Sequence, residues 1–310
     1  MKKITIIIPC FNEEDVLTIF YDELIENIDM NYQYNFIFVD DGSKDNTLKI
    51  IKELNKKDNR VKYISFSRNF GKESAMYAGL EAAKKLESDA AIIMDADLQD
   101  PPNLIPEMLK YYEEGYQHIY AKHRTRKGDP LLKSFFAKCF YRIYAFLTGD
   151  KNLAQGSRDY CLLEKNVIDA FLAIEDNDRF TKGIFSWVGF DKKCIEYDYI
   201  PRAAGKTKWS FIKLFKYALS GIRQFSHFYL LVPSVAIIIT LGFLIYDIVY
   251  GILNSISYLA IKIDLFALLI LITLRFLIRL LYDVRDQGLK RPMYLTKKSN
   301  IGTDDEKINQ

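Results

Sequence analysis

The sequence predicts an open α/β sheet followed by a two-helix transmembrane hairpin, and three observations carry that expectation. Short apolar runs at residues 4–8, 35–39, 61–66 and 90–94 alternate with longer segments, such as EDVLTIFYDELIENI and DNTLKIIKEL, whose apolar residues recur at helical spacing. Strands spaced by helices build a sheet whose loops gather at the strand ends, where sites form. Farther along, Phe228 to Tyr246 contains no formally charged residue.

Composition sets the outer bounds. With 310 residues, 49% hydrophobic content and a net charge of +3, the chain can bury a substantial core, and it offers no strong argument for nucleic acid as a partner. Its four cysteines, at 10, 139, 161 and 194, are too widely spaced for a structural zinc site and suit a reducing compartment. His118, His123 and His227 are the only histidines, which leaves little material for a histidine metal site.

The elements follow in order. MKKITIIIPCFNEEDV opens with lysines and a short apolar run, but acids follow at once, so it reads as a first buried strand and not as a signal peptide. PCFNEED leaves that strand at Pro9, and VDDGSKDNT leaves the second at Asp40 and Asp41, with Gly42 for a tight turn and Ser43 to cap the next helix. SRNFGKESAMYAGL places Arg68 and Lys72 where they can face phosphates, and Ala75, Ala78 and Gly79 allow close helix packing. IIMDADLQDPP ends the fourth run at Asp95 and Asp97, whose hard oxygens suit a shared Mg2+ or Mn2+ ion, with Gln99 and Asp100 beside them.

Lys133 to Leu147 reads either as a buried helix or as one leaning on a membrane or partner. Residues 209–227 interleave Lys213, Lys216 and Arg223 with apolar residues, as an interfacial helix does. Phe228 to Leu253 and Leu259 to Tyr282 are the two expected spans, and the basic flanks on both sides put the two termini in the cytosol.

IIIPCFNEE, FVDDGSKDNT, SRNFGKESA, MDADLQDPP, GSRDYCLL, WVGF and PRAAGKTKW, in that order, resemble the polyprenyl-phosphate glycosyltransferases of glycosyltransferase family 2, over nearly the whole chain. The resemblance implies a GT-A fold and transfer of a hexose, with inversion, from a nucleotide-diphosphate sugar donor to undecaprenyl phosphate for cell-envelope glycan modification. UDP-glucose leads as donor and UDP-N-acetylglucosamine follows. A processive polysaccharide synthase is the other reading, but its Gln-x-x-Arg-Trp pattern does not occur.

The implied domains are a GT-A catalytic domain over 1–208, an amphipathic juxtamembrane helix over 209–227, two transmembrane helices over 228–282 and a cytoplasmic tail over 283–310. By the same resemblance, Pro9, Asn12, Glu14, Asp40, Asp41, Lys72, Asp95, Ala96 and Gln99 bind the nucleotide sugar. Asp95 and Asp97 hold the metal, with Asp97 and Asp159 catalytic, Asp159 as base or acceptor-orienting group. Arg202, Lys206 and Lys208 meet acceptor or donor phosphate. Relatives commonly carry an Arg two residues beyond that Asp, where this chain has Cys161. The resemblance also implies the lipid bilayer and a homotetramer as partners, and a multi-pass placement in the cell membrane with the catalytic domain in the cytosol.

Overall fold

The computed structural model describes residues 1–124, 131–150, 157–174, 176, 179–201, 211–226, 235–236, 238–239, 242, 245–246, 249, 259–288 and 292–301. The first half alternates as the apolar pattern predicts: β1 (Lys3–Cys10), α1 (Leu17–Glu26), β2 (Gln33–Asp40), α2 (Thr47–Lys57), β3 (Val61–Phe66), α3 (Lys72–Lys85), β4 (Ala90–Ile93) and α4 (Ile105–Glu113). Then come β5 (His118–His123), α5 (Leu131–Thr148), β6 (Ser157–Glu164), α6 (Lys165–Leu172), α7 (Thr181–Trp187), β7 (Lys192–Tyr197), α8 (Phe211–Phe225), α9 (Leu259–Gly288) and β8 (Thr296–Ser299).

These strands form one sheet of eight in the order β7-β5-β6-β4-β1-β2-β3-β8. β1 pairs in parallel with β2 on one side and β4 on the other, so the chain order reverses at β1. Such a reversal opens a crevice beyond the carboxyl ends of the strands. Register fills it: Pro9 lies opposite Val39, Cys10 opposite Asp40, and Ile7 opposite Ile93, two residues before Asp95.

The strands read as continuous apolar runs because helices cover both faces. Ile4, Ile6 and Ile8 pack with Phe20, Leu24 and Ile51 of α1 and α2, while Ile7 packs on the other face with Met76, Ile168 and Ile184. The small residues of α3 do what their size permits. A methyl added at Gly79 would stand 2.2 Å from Cγ2 of Ile7, so only glycine lets α3 sit this close to β1.

The C-terminal segment joins the same sheet. β8 pairs antiparallel with β3, Tyr294 stacks on Phe66 at 4.7 Å, and the Asn300 side chain accepts the Tyr63 amide at 2.7 Å. A bare β3 edge would invite pairing with other chains, and this segment covers it. The sequence, read alone, places these residues in a tail.

Among the described residues, no helix is long and apolar enough to cross a membrane. That overturns the expected transmembrane hairpin, the multi-pass placement in the cell membrane and the lipid bilayer as an embedding partner. The first expected span, Phe228 to Leu253, lies largely outside the described residues. The second is helical as α9, but Arg275 and Arg279 interrupt it and Lys262 and Asp264 fall in its first two turns. Its uncharged middle, Leu265 to Leu274, reaches only ~15 Å at ~1.5 Å per residue, against a bilayer core of ~30 Å. Apolar composition made the segment resemble a span, and its charge spacing breaks that resemblance.

Candidate active site

Two acidic loops at the ends of β1 and β2 are tied to each other. Asp40 accepts the Ser43 amide at 2.9 Å and the Ser65 hydroxyl at 2.7 Å. Asp41 accepts the Phe70 amide at 2.6 Å and the Gly71 amide at 2.9 Å, which anchors the start of α3. Burial pushes the Asp41 carboxyl up to about 6, against the pull of those two amides. Between this pair and Ser43, Gly42 has φ +67°, and a Cβ there would lie 2.4 Å from the Arg68 carbonyl carbon, so the turn requires glycine.

Asn12, itself at φ 53°, accepts the Lys44 amide at 2.9 Å and donates its own amide to the Ser43 hydroxyl at 2.9 Å. Glu14 accepts the Asn46 amide at 3.0 Å and its side chain at 2.8 Å. The candidate nucleotide contacts Asn12, Glu14, Asp40 and Asp41 therefore also build the frame of the crevice.

The end of β4 is organised differently. The Lys72 ammonium, in the first turn of α3, lies 2.7 Å from Asp95 Oδ1 and 2.8 Å from Asp159 Oδ2. Arg158 lies 3.6 Å from Asp95 and donates to Asp100 at 2.7 Å. Asp100, 1% exposed, also accepts the Asp95 amide at 3.1 Å and the Tyr197 hydroxyl at 3.3 Å. Asp97 accepts the Gln99 amide at 3.0 Å, and Leu98 between them sits at φ 61°. A branched residue in the left-handed region is held there only by its surroundings, here the turn that brings Asp97 and Asp100 inward.

Electrostatics follow from this packing. Burial alone would raise the Asp159 carboxyl, but Lys72, then Lys182 and Arg158, outweigh it and hold Asp159 well below the usual carboxylate range. Burial would likewise lower the Lys72 ammonium, and Asp159 and Asp95 keep it raised instead. Asp159 Oδ1 is buried without a hydrogen-bond partner. Such an atom is costly and marks a place prepared for a donor or cation.

Among the described residues, no three His, Cys, Asp or Glu side chains gather into a cage for a metal ion. The donor set nonetheless fits a hard divalent cation. Asp95, Asp97, Asp100 and Asp159 outnumber Lys72 and Arg158, and Mg2+ or Mn2+ commonly takes one or two carboxylates while phosphate and water supply the rest.

The structure thus brings Lys72, Asp95, Asp97, Gln99 and Asp159 to one crevice, with Pro9, Asn12, Glu14, Asp40 and Asp41 along its neighbouring loops. Ala96 is 3% exposed, and its side chain belongs to the core, which leaves only its backbone for a ligand. Arg202, Lys206 and Lys208 lie outside the described residues. Cys161 is buried on β6 opposite Ile93 and Tyr120, a small side chain in the core. Arg158, three residues earlier, places a guanidinium beside Asp95 and Asp100. Arg158 and Tyr197 were not anticipated, and only the adjacency of Arg158 to Asp159 hinted at either.

A model of glycosyl transferase family 2 matches residues 5–169. The chain is 36% identical to the putative glycosyltransferase CsbB of Bacillus subtilis (strain 168), over 97% of this chain and 93% of that protein. It is also 36% identical to a prophage bactoprenol glucosyl transferase homolog of Escherichia coli (strain K12), over 80% of this chain and 83% of the other. Among solved structures, a mycobacterial protein superposes with a TM-score of 0.50 at 16% identity, covering 70% of this chain and 71% of that one, a likeness of fold alone.

Proposed function

This chain belongs to glycosyl transferase family 2, and we propose that it transfers a hexose from a nucleotide-diphosphate sugar, with UDP-glucose the leading donor, to the phosphate of a polyprenyl phosphate. The observation that carries this reading is the Lys72 bridge between Asp95 and Asp159 at the strand-order reversal, a charged site suited to two phosphorylated substrates. The bactoprenol glucosyl transferases among its relatives support the choice of sugar and acceptor.

Asp95 and Asp97 would hold Mg2+ or Mn2+, which when bound neutralises a departing diphosphate. Lys72 and Arg158 add positive charge on the same side and lower the repulsion between donor and acceptor phosphates. An acceptor phosphate is already anionic near neutral pH, so its oxygen can form the new bond to the anomeric carbon without losing a proton. The bond to the diphosphate breaks as its oxygen takes the electron pair, and displacement from the opposite face inverts the centre.

Asp159 is then an orienting group. A carboxylate held below its usual range by an ammonium is a weak base, and its fixed place beside Lys72 suits positioning. Incubation of the purified protein with undecaprenyl phosphate, Mg2+ or Mn2+ and separate sugar nucleotides, followed by mass spectrometry of the lipid, tests the reading. A hexosyl lipid from UDP-glucose is expected. An N-acetylhexosaminyl lipid would shift the donor, and no glycosyl lipid from any nucleotide sugar would sink the proposal.

A further inference from the structure

Glu73 adjoins Lys72 in the first turn of α3, and the transfer steps above make no use of it. One of its oxygens accepts the Tyr217 hydroxyl of α8 at 2.8 Å, and the other accepts the Thr181 hydroxyl at the start of α7. Three helices therefore meet on one carboxylate, a single residue from the ammonium that bridges Asp95 and Asp159. Adjacent side chains on a helix diverge by ~100°, so anchoring Glu73 sets the rotation of the first turn of α3 and with it the direction of Lys72.

The contact that holds α8 there is close. The Phe180 amide donates to Gln224 at 2.8 Å, and the Phe180 ring lies 5.0 Å from that of Tyr217. A methyl at Gly221 would approach the Phe180 ring to 2.9 Å, and one at Gly183 would approach Phe225 to 2.5 Å. Glycines at these points let α8 seat deeply enough for Tyr217 to reach Glu73. Burial first, and the Asp159 charge second, push the Glu73 carboxyl up to about 7, with Thr181, Tyr217 and Lys72 opposing.

We propose that Glu73 is a positioning residue that couples the seating of α8 to the placement of Lys72 between Asp95 and Asp159. The same helix supplies a control of matching chemistry. Glu81 accepts the Tyr294 hydroxyl at 2.6 Å, two turns farther along α3 and away from Lys72. A carboxylate that merely staples a helix in place would behave alike at both positions.

The test is the rate at which Lys72 is reductively methylated in the full-length protein, read by mass spectrometry against exposed Lys85. Ion pairing to two carboxylates makes Lys72 slow in the wild type. Glu73→Gln and Tyr217→Phe should each raise the Lys72 rate severalfold, the double variant no further than Glu73→Gln alone, and Glu81→Gln should leave it unchanged. Thermal unfolding accompanies each variant, and if Glu73→Gln does not fold, Tyr217→Phe decides. An unchanged Lys72 rate in folded Tyr217→Phe, or an equal rise in Glu81→Gln, overturns the proposal. A transfer assay adds a second reading that rests on the proposed function: kcat should fall about tenfold in Glu73→Gln with the donor KM nearly constant. A wild type that transfers no sugar would defeat that function, while Lys72 labelling would still decide the role of Glu73.

Discussion

Asp40 and Asp41 give their oxygens to backbone amides and a serine hydroxyl, whereas Asp95 and Asp159 give theirs to the ammonium of Lys72. Asp40 and Asp41 stand at the end of β2, whereas Asp95 follows β4 and Asp159 lies near the start of β6, all at the same crevice of one sheet. An amide is fixed by the chain and cannot leave, so the first pair holds loop shape. An ammonium on a flexible stem can exchange its partner for a phosphate or yield to a metal ion, so the second region is suited to chemistry. What satisfies a buried carboxylate, more than its position on a strand, separates frame from site.

The largest effect should come from the second region. Asp95→Asn keeps the side chain's shape but removes the charge that Lys72 and a metal share, so transfer should fall by about 1,000-fold, or ~4 kcal/mol. Its unfolding midpoint should stay close to that of the wild type, and product formation measured beside a thermal melt checks both halves. Wild-type transfer in this variant would erase the contrast between the two regions.

Asp41→Ala should cost more in stability than Asp95→Asn. It leaves the Phe70 and Gly71 amides without their acceptors, and at ~1–3 kcal/mol for each unsatisfied buried group, about 3 kcal/mol of stability should disappear. Urea unfolding measures it, and a stability loss below that of Asp95→Asn would contradict the framing role.

A pH series sharpens the comparison where Glu73 borders both regions. Its folded carboxyl titrates at about 7 against an ordinary 4.5. Between those values the native state keeps a proton that the unfolded chain has released, so the Glu73 contribution to stability is fully present below about 4.5 and is lost as the pH rises to about 7. Glu73→Gln should flatten that part of the profile of unfolding free energy against pH.

The smallest expected effect lies at the covered sheet edge. Tyr294→Phe keeps the ring on Phe66 and loses the bond to Glu81, so about 1 kcal/mol of stability should be lost, with transfer unchanged. A large fall in transfer would show that the edge reaches the site through α3.

Much of the fold could be read from the chain because parallel strands buried on both faces must be continuously apolar. The runs at 4–8, 35–39, 61–66 and 90–94 fall within or closely overlap β1 to β4. β8 escaped notice because Thr296–Ser299 carries two lysines and no apolar run, as befits an edge strand with exposed positions. The hairpin is expected from the uncharged run Phe228 to Tyr246 and from the leucine and isoleucine of α9, and apolar composition does not by itself distinguish a span from other apolar helices.

The sequence by itself determined the alternation of strand and helix, the glycines at 42 and 79, and the acids that end β2 and β4, because backbone sterics and burial act on local residues. Only the tertiary structure decided which acids are tied to amides and which to Lys72. It alone set Arg158 beside Asp95 and Asp100, and it brought Thr181 and Tyr217 to Glu73. Those partners are separated from Glu73 by more than a hundred residues. Local pattern carries no record of such distances, and packing of the sheet and its helices is what closes them.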